Sequence, residues 1–113
     1  MNIQFGNYGQ NRELVCTEQE RQVYNVILEI LSEAGLDISP MVLVRKSDNY
    51  VSACMHRHDD SGDLDVARIK FTNRAKWIKT GSRYEKVSIE DPEDVRQLSD
   101  EIIDTYRRHL PYL

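Results

Sequence analysis

Between Thr17 and Gly35 the apolar side chains Val23, Val26, Ile27, Ile30, Leu31 and Ala34 recur every three or four positions, which gathers them on one side of a helix. The run Thr17-Glu18-Gln19-Glu20 ahead of them fits a capping box, with a hydroxyl for the N3 amide and a glutamate reaching back. Gly35 is a natural left-handed stop, so the spacing predicts a helix over Thr17–Ala34. A second helix is predicted over Asp91–Arg108. Asp91 is its N-cap, Pro92 its first residue, and Glu93 and Asp94 suit its positive end. Val95, Leu98, Ile102 and Tyr106 form its apolar face, Arg107, Arg108 and His109 suit its negative end, and Pro111 closes it.

The pattern between the helices changes period. Met41–Arg45 reads as a short buried strand, Lys46-Ser47-Asp48-Asn49 as a polar turn, and Tyr50–His56 as the returning strand with Val51, Ala53 and Met55 on one side. His58-Asp59-Asp60-Ser61-Gly62-Asp63 is a second turn signal. In Leu64–Phe71, alternation places Ala67, Ile69 and Phe71 on one face and Val66, Arg68 and Lys70 on the other. Thr72-Asn73-Arg74-Ala75 fits either a tight turn into a strand Lys76–Lys79 or the start of a helical turn, and Tyr84–Ile89 reads as the last strand. Met1–Val15, with Gly6, Asn7, Gly9, Gln10 and Asn11, reads as an irregular arm. Residues 16–113 then form one α+β domain, a four- or five-stranded mainly antiparallel sheet with both helices on one face.

Composition sharpens this only a little. A chain of 113 residues with 40% hydrophobic and 30% charged content has the means for one core and argues against disorder. The longest purely apolar run, Met41–Val44, is far short of the roughly 20 residues that span a bilayer. The opening residues lack a basic segment followed by an apolar one, so the cytoplasm is expected. Cys54, in an apolar strand pattern, is expected to be a buried inert thiol. Cys16 precedes a helix N-terminus but has no histidine near it in sequence to make a catalytic pair.

Charge changes the picture more. From Arg68 to Lys86 there are seven basic residues (Arg68, Lys70, Arg74, Lys76, Lys79, Arg83, Lys86) and one acid, Glu85. That is a net +6 inside a chain of −4, so the remainder carries −10. Phe71, Trp77 and Tyr84 are threaded through the stretch. Basic residues with interleaved aromatics suit a polyanion or an acidic protein face. The candidate polyanion-binding set is Arg68, Lys70, Arg74, Lys76, Lys79, Trp77, Tyr84 and Lys86, with Arg68, Lys70, Arg74 and Lys76 expected to carry most of it. Against this stands a solvated sheet face whose lysines pair with Glu90, Glu93 and Asp94, and a Trp77 that belongs to the core.

Catalytic signals are weaker. His56, His58, Asp59, Asp60, Asp63 and Asp65 are the only cluster suited to a metal, but their spacing misses the calcium-loop pattern, and a polar hairpin loop explains them. There is no Gly-x-Ser-x-Gly elbow and no phosphate-cradling glycine run. An acid–lysine pair from Asp65 and Lys70, as a metal nuclease would need, falls on opposite faces by strand parity. The expectation is a non-enzymatic binding module with no metal and no cofactor, which binds nucleic acid or a nucleic-acid-handling protein. Pairing of an exposed edge strand with its copy would give a homodimer.

The segments Asp65-Val66-Ala67-Arg68-Ile69-Lys70-Phe71, Ala75-Lys76-Trp77-Ile78 and Val87-Ser88-Ile89-Glu90-Asp91-Pro92-Glu93-Asp94-Val95 carry a resemblance of pattern. Over roughly Met41 to Leu110 the chain resembles a small bacterial domain of unknown function, sometimes labelled a predicted transport protein. Such modules are in some cases appended to nuclease or restriction-type proteins, and the resemblance implies no site residues. Met1–Val15 and the first helix have no counterpart in it. Similar free-standing chains look like products of phages and mobile elements of Firmicutes. That implies an alternative, an inhibitor of a bacterial defence nuclease, of anti-restriction or anti-CRISPR type, acting by protein–protein contact.

Overall fold

The computed structural model describes the backbone of residues 3–5 and, with side chains, residues 16–47, 49–57, 59, 62–81 and 85–113. A six-stranded sheet runs in sequence order: β1 (Ile3–Phe5), β2 (Val42–Ser47), β3 (Tyr50–His56), β4 (Asp63–Phe71), β5 (Lys76–Thr80) and β6 (Val87–Ser88). Strands β2 to β6 are an antiparallel meander, and β1 joins β2 in parallel. Helix α1 (Glu18–Glu33) forms the crossover between β1 and β2. After β6 come a 3-10 helix over Pro92–Leu98 and helix α2 (Ser99–His109). Both helices contribute to one core on one face of the sheet, so the expected α+β architecture is the one found.

Four local expectations are corrected. The arm is not wholly irregular, because Ile3–Phe5 pairs with Leu43, Val44 and Arg45 and adds a sixth strand. Strand β2 continues through Lys46 and Ser47, which sequence reasoning gave to the turn, with an irregularity between Arg45 and Ser47 absorbing the extra residue. The C-terminal helix is not continuous. In 3-10 winding, residues three apart line up, so Val95 and Leu98 both reach the core before the α-helix begins. Its α-helical part does end as expected, at His109, with Pro111 in the short 3-10 turn Leu110–Tyr112 that follows. The last strand is only Val87–Ser88, and Tyr84 lies outside the described residues.

Both helix starts form as their residues dictate. Thr17 Oγ1 accepts from the Glu20 amide at 3.0 Å and Glu20 Oε1 from the Thr17 amide at 2.9 Å. Asp91 accepts from the Glu93 amide at 2.9 Å, while Asp94 accepts from the amides of Glu90 and Asp91 at 2.9 and 3.0 Å. Glu20 has a second task. Phe71 ends β4 beyond the last β3 partner pair, Val51 with Ile69, so its backbone needs other partners on that side. Glu20 Oε2 accepts the Phe71 amide at 3.1 Å, and Thr17 donates its hydroxyl to the Phe71 carbonyl at 2.8 Å. Glu20 is 1% exposed and also pairs with Arg45 of β2 at 3.2 Å.

At the far end, Gly81 lies where a Cβ would be 2.5 Å from the Asp65 carbonyl oxygen and 2.8 Å from Thr105 Cγ2. One contact is backbone and cannot swing aside. Gly81→Ala is therefore expected to cost about 1–3 kcal/mol, as overpacking does, and urea denaturation measures it. Among the described residues, no helix is long and apolar enough to cross a membrane.

Candidate functional site

Strand β4 decides what the open face of the sheet displays. Its register with β3 shifts between Ala53 and Cys54: Ala53 stands opposite Ala67, but Cys54 stands opposite Asp65. Val66 is the extra residue of a β-bulge, and such a residue inverts the alternation that follows. Val66 and Ala67 are both fully buried in the core. Strict alternation would set Val66 beside Arg68 and Lys70 and send Asp65 to the other face. The bulge does the reverse. Asp65 shares a face with Arg68, whose Nε donates to Asp65 Oδ2 at 3.1 Å. The same inversion removes the parity objection to Asp65 and Lys70 sharing a face, although no described acid completes a metal set with them.

The hairpin from β4 to β5 then fixes which cations are neighbours. The turn is a hydroxyl-stapled one, which resolves the two readings of Thr72–Ala75: Thr72 Oγ1 accepts the amides of Arg74 and Ala75, each at 3.2 Å. The resulting register sets Arg68 opposite Lys79 and Lys70 opposite Trp77, with Trp77 opposite Ser88 of β6. Arg68, Lys70, Trp77 and Lys79, with Tyr50 and Lys86, wall a shallow concavity of about 340 Å³. Lys86 Nζ lies 4.4 Å from the centre of the Trp77 ring, and the Arg68 guanidinium 5.2 Å from that of Tyr50.

Of the eight residues singled out from sequence, the fold thus brings together Arg68, Lys70, Trp77, Lys79 and Lys86. Lys76 does not wall this concavity, although with Arg74 it lines an adjoining hollow that shares Trp77 and Lys86. Its register partner is Phe71, and its Nζ lies 5.5 Å from the centre of that core ring, beside a further hollow that includes Thr17 and Gln19. Arg74 is exposed in the turn beyond the strand. Arg68 and Lys70 thus lie on the strand face and Arg74 and Lys76 at its exit turn, in two adjoining hollows that share Trp77 and Lys86. Tyr84 lies outside the described residues. Trp77 is half-buried on the open face rather than part of the core.

The pairing of sheet lysines with helix acids does not occur among the described residues. Glu93 pairs with Arg96, which also reaches Glu29 and Glu33 of α1, and Asp94 is held by the backbone amides of the cap. Lys70 and Lys79 have no acid within ion-pair distance among those residues.

Towards β2 the same face carries two partnered acids, Asp63 and Asp65. Asp63 binds Lys46 and His56, and Asp65 accepts from Ser52 Oγ at 2.6 Å. Cys54 is fully buried, and burial, reinforced by the nearby Asp63, pushes its thiol up to about 12, so it is protonated at neutral pH. No described group of three His, Cys, Asp or Glu side chains is suited to a metal; His58 and Asp60 lie outside the described residues. Burial raises the Asp63 carboxyl, but the hydrogen bonds from Lys46 and His56 outweigh it and leave Asp63 below its ordinary value. A carboxyl so depressed stabilises the fold above its unfolded pKa of about 3.9 and loses that contribution as pH falls through its folded value. Asp63→Asn should lower the urea midpoint most at neutral pH, and the difference from the parent protein should shrink below about pH 4.

Sequence reasoning missed Tyr50 and Lys46. Tyr50 stands at a strand start, outside the basic stretch, and only the register of β3 with β4 brings it beside Arg68. No family model matches the chain, and no curated protein or solved structure matches it significantly.

Proposed function

We propose that this protein is a non-enzymatic binding module that holds nucleic acid on the open, basic face of its sheet. The carrying observation is the cross-strand pair Arg68–Lys79 with Lys70 beside it, where Lys70 and Lys79 have no acidic partner among the described residues. Like charges set directly opposite in antiparallel strands destabilise a sheet. A solvated face with no task has no need of that arrangement, whereas a phosphate backbone offsets it on binding. Asp65 tempers only the Arg68 side.

The test is fluorescence anisotropy with labelled oligonucleotides across a salt series. Affinity should fall steeply with salt. Lys79→Glu should separate the two accounts of this face. It replaces a like-charge pair with an attractive one, so stability should rise by roughly 0.2–1 kcal/mol while binding weakens. Unchanged affinity in Lys79→Glu would leave the cations as surface charge alone. An acidic protein is the other partner such charges suit, and its capture from nuclease-treated lysate, with no oligonucleotide binding, would replace nucleic acid with that partner.

A further inference from the structure

Electrostatics alone would make the face indifferent to the form of the polyanion, but its aromatic side chains do not. Val51 stands opposite Ile69, so one step further along that antiparallel register sets Tyr50 across from Lys70, which in turn stands opposite Trp77. Tyr50, Lys70 and Trp77 therefore lie in one row across three neighbouring strands. At the usual strand spacing the two aromatic positions are roughly 10 Å apart, with a lysine between them. Each ring already carries a cation: Lys86 Nζ 4.4 Å from the centre of Trp77, and the Arg68 guanidinium 5.2 Å from that of Tyr50.

We propose that the face selects single-stranded over double-stranded nucleic acid, stacking one base on Trp77 and a second on Tyr50 while Lys70 holds phosphate between them. This rests on the basic-face reading above and adds the form of the ligand to it. In a duplex the flat faces of the bases are covered by their neighbours, so neither ring can stack. In a single strand they are open, and stacking on an aromatic side chain tolerates any sequence because every base has a π-face. An exposed cation–π contact is weaker than base stacking, so a base can displace Lys86 from the indole. The displaced ammonium is then beside the strand, free to meet a phosphate.

Trp77 is the only tryptophan in the chain, so its fluorescence reports this ring alone. The protein is titrated with an oligothymidylate, a duplex of equal length, and inorganic polyphosphate, which has charge but no bases. The expected result is quenching by the single strand only, with affinity at least about tenfold above the duplex at equal salt. Trp77→Ala should lose about tenfold in single-strand affinity with its salt slope unchanged, and Trp77→Phe should recover most of the loss. Lys70→Ala should instead lower the slope by about 0.7. Equal binding of all three polyanions with unquenched Trp77 overturns the stacking inference and leaves the basic-face reading standing. Failure of all three to bind at low salt overturns both.

Discussion

Replacing Glu20 by Ala should destabilise the protein by about 3–5 kcal/mol, a large part of the roughly 5–15 kcal/mol typical of a domain. The side chain serves three partners. Oε1 caps the first turn of α1 through the Thr17 amide and pairs with Arg45, while Oε2 receives the Phe71 amide. Its loss takes that carboxylate from Arg45, a residue only 8% exposed, and leaves a strand-end amide without its side-chain acceptor. Removing one partner of a buried ion pair is costly, far more than a surface ion pair is worth. Arg45→Ala should cost a comparable amount, because it strands the carboxylate instead. Glu20→Met combined with Arg45→Leu removes both charges and leaves the Thr17 and Phe71 amides without their carboxylate acceptor. The double variant should lose only about 1–3 kcal/mol, less than either single change. Urea denaturation of the four proteins closes the cycle, and strictly additive losses would mean that the pair is not coupled.

Glu20 also shows where sequence reading reaches its limit. The capping box was legible, since Thr17 and Glu20 are three residues apart and their partners are local. The contacts with Arg45 and Phe71 were not, because they join residues 25 and 51 positions apart and depend on how far β4 overruns β3. The same division runs through the candidate site. Caps and apolar helix faces are short-range and could be read from the chain, whereas Thr72–Ala75 fitted two readings until its hydroxyl staple was seen. The facing of Asp65 and Val66 turned on one bulged residue, which alternation cannot announce. Lys76 marks a related limit: its register opposite Phe71 was not legible until the turn length was fixed. Trp77 could be read either as a stacking ring or, on its size, as core, and its place opposite Lys70 and Ser88 puts it on the open face, where Lys86 covers its ring.

The largest functional effect should come from removing Lys70, Lys79 and Lys86 together. Each phosphate contact on a single strand contributes about 0.7 to the dependence of log K on log salt. Three contacts make about 2.1, so at 0.1 M salt their loss should weaken binding on the order of 10²-fold and flatten the salt dependence by about two units. Arg68 is kept in this variant because it satisfies Asp65, and its removal would confuse folding with binding. Stability should stay nearly level. Exposed substitutions usually move it by within about 0.5 kcal/mol, and here the lost Lys86–Trp77 contact is offset by relief of the Arg68–Lys79 repulsion. The matched control removes Arg21, Arg107 and Arg108, which lie on the two helices against the other side of the sheet. It changes net charge by the same amount and should cost much less affinity. If both triple variants lose affinity equally, binding follows the net charge of the whole molecule, and the open face holds no site.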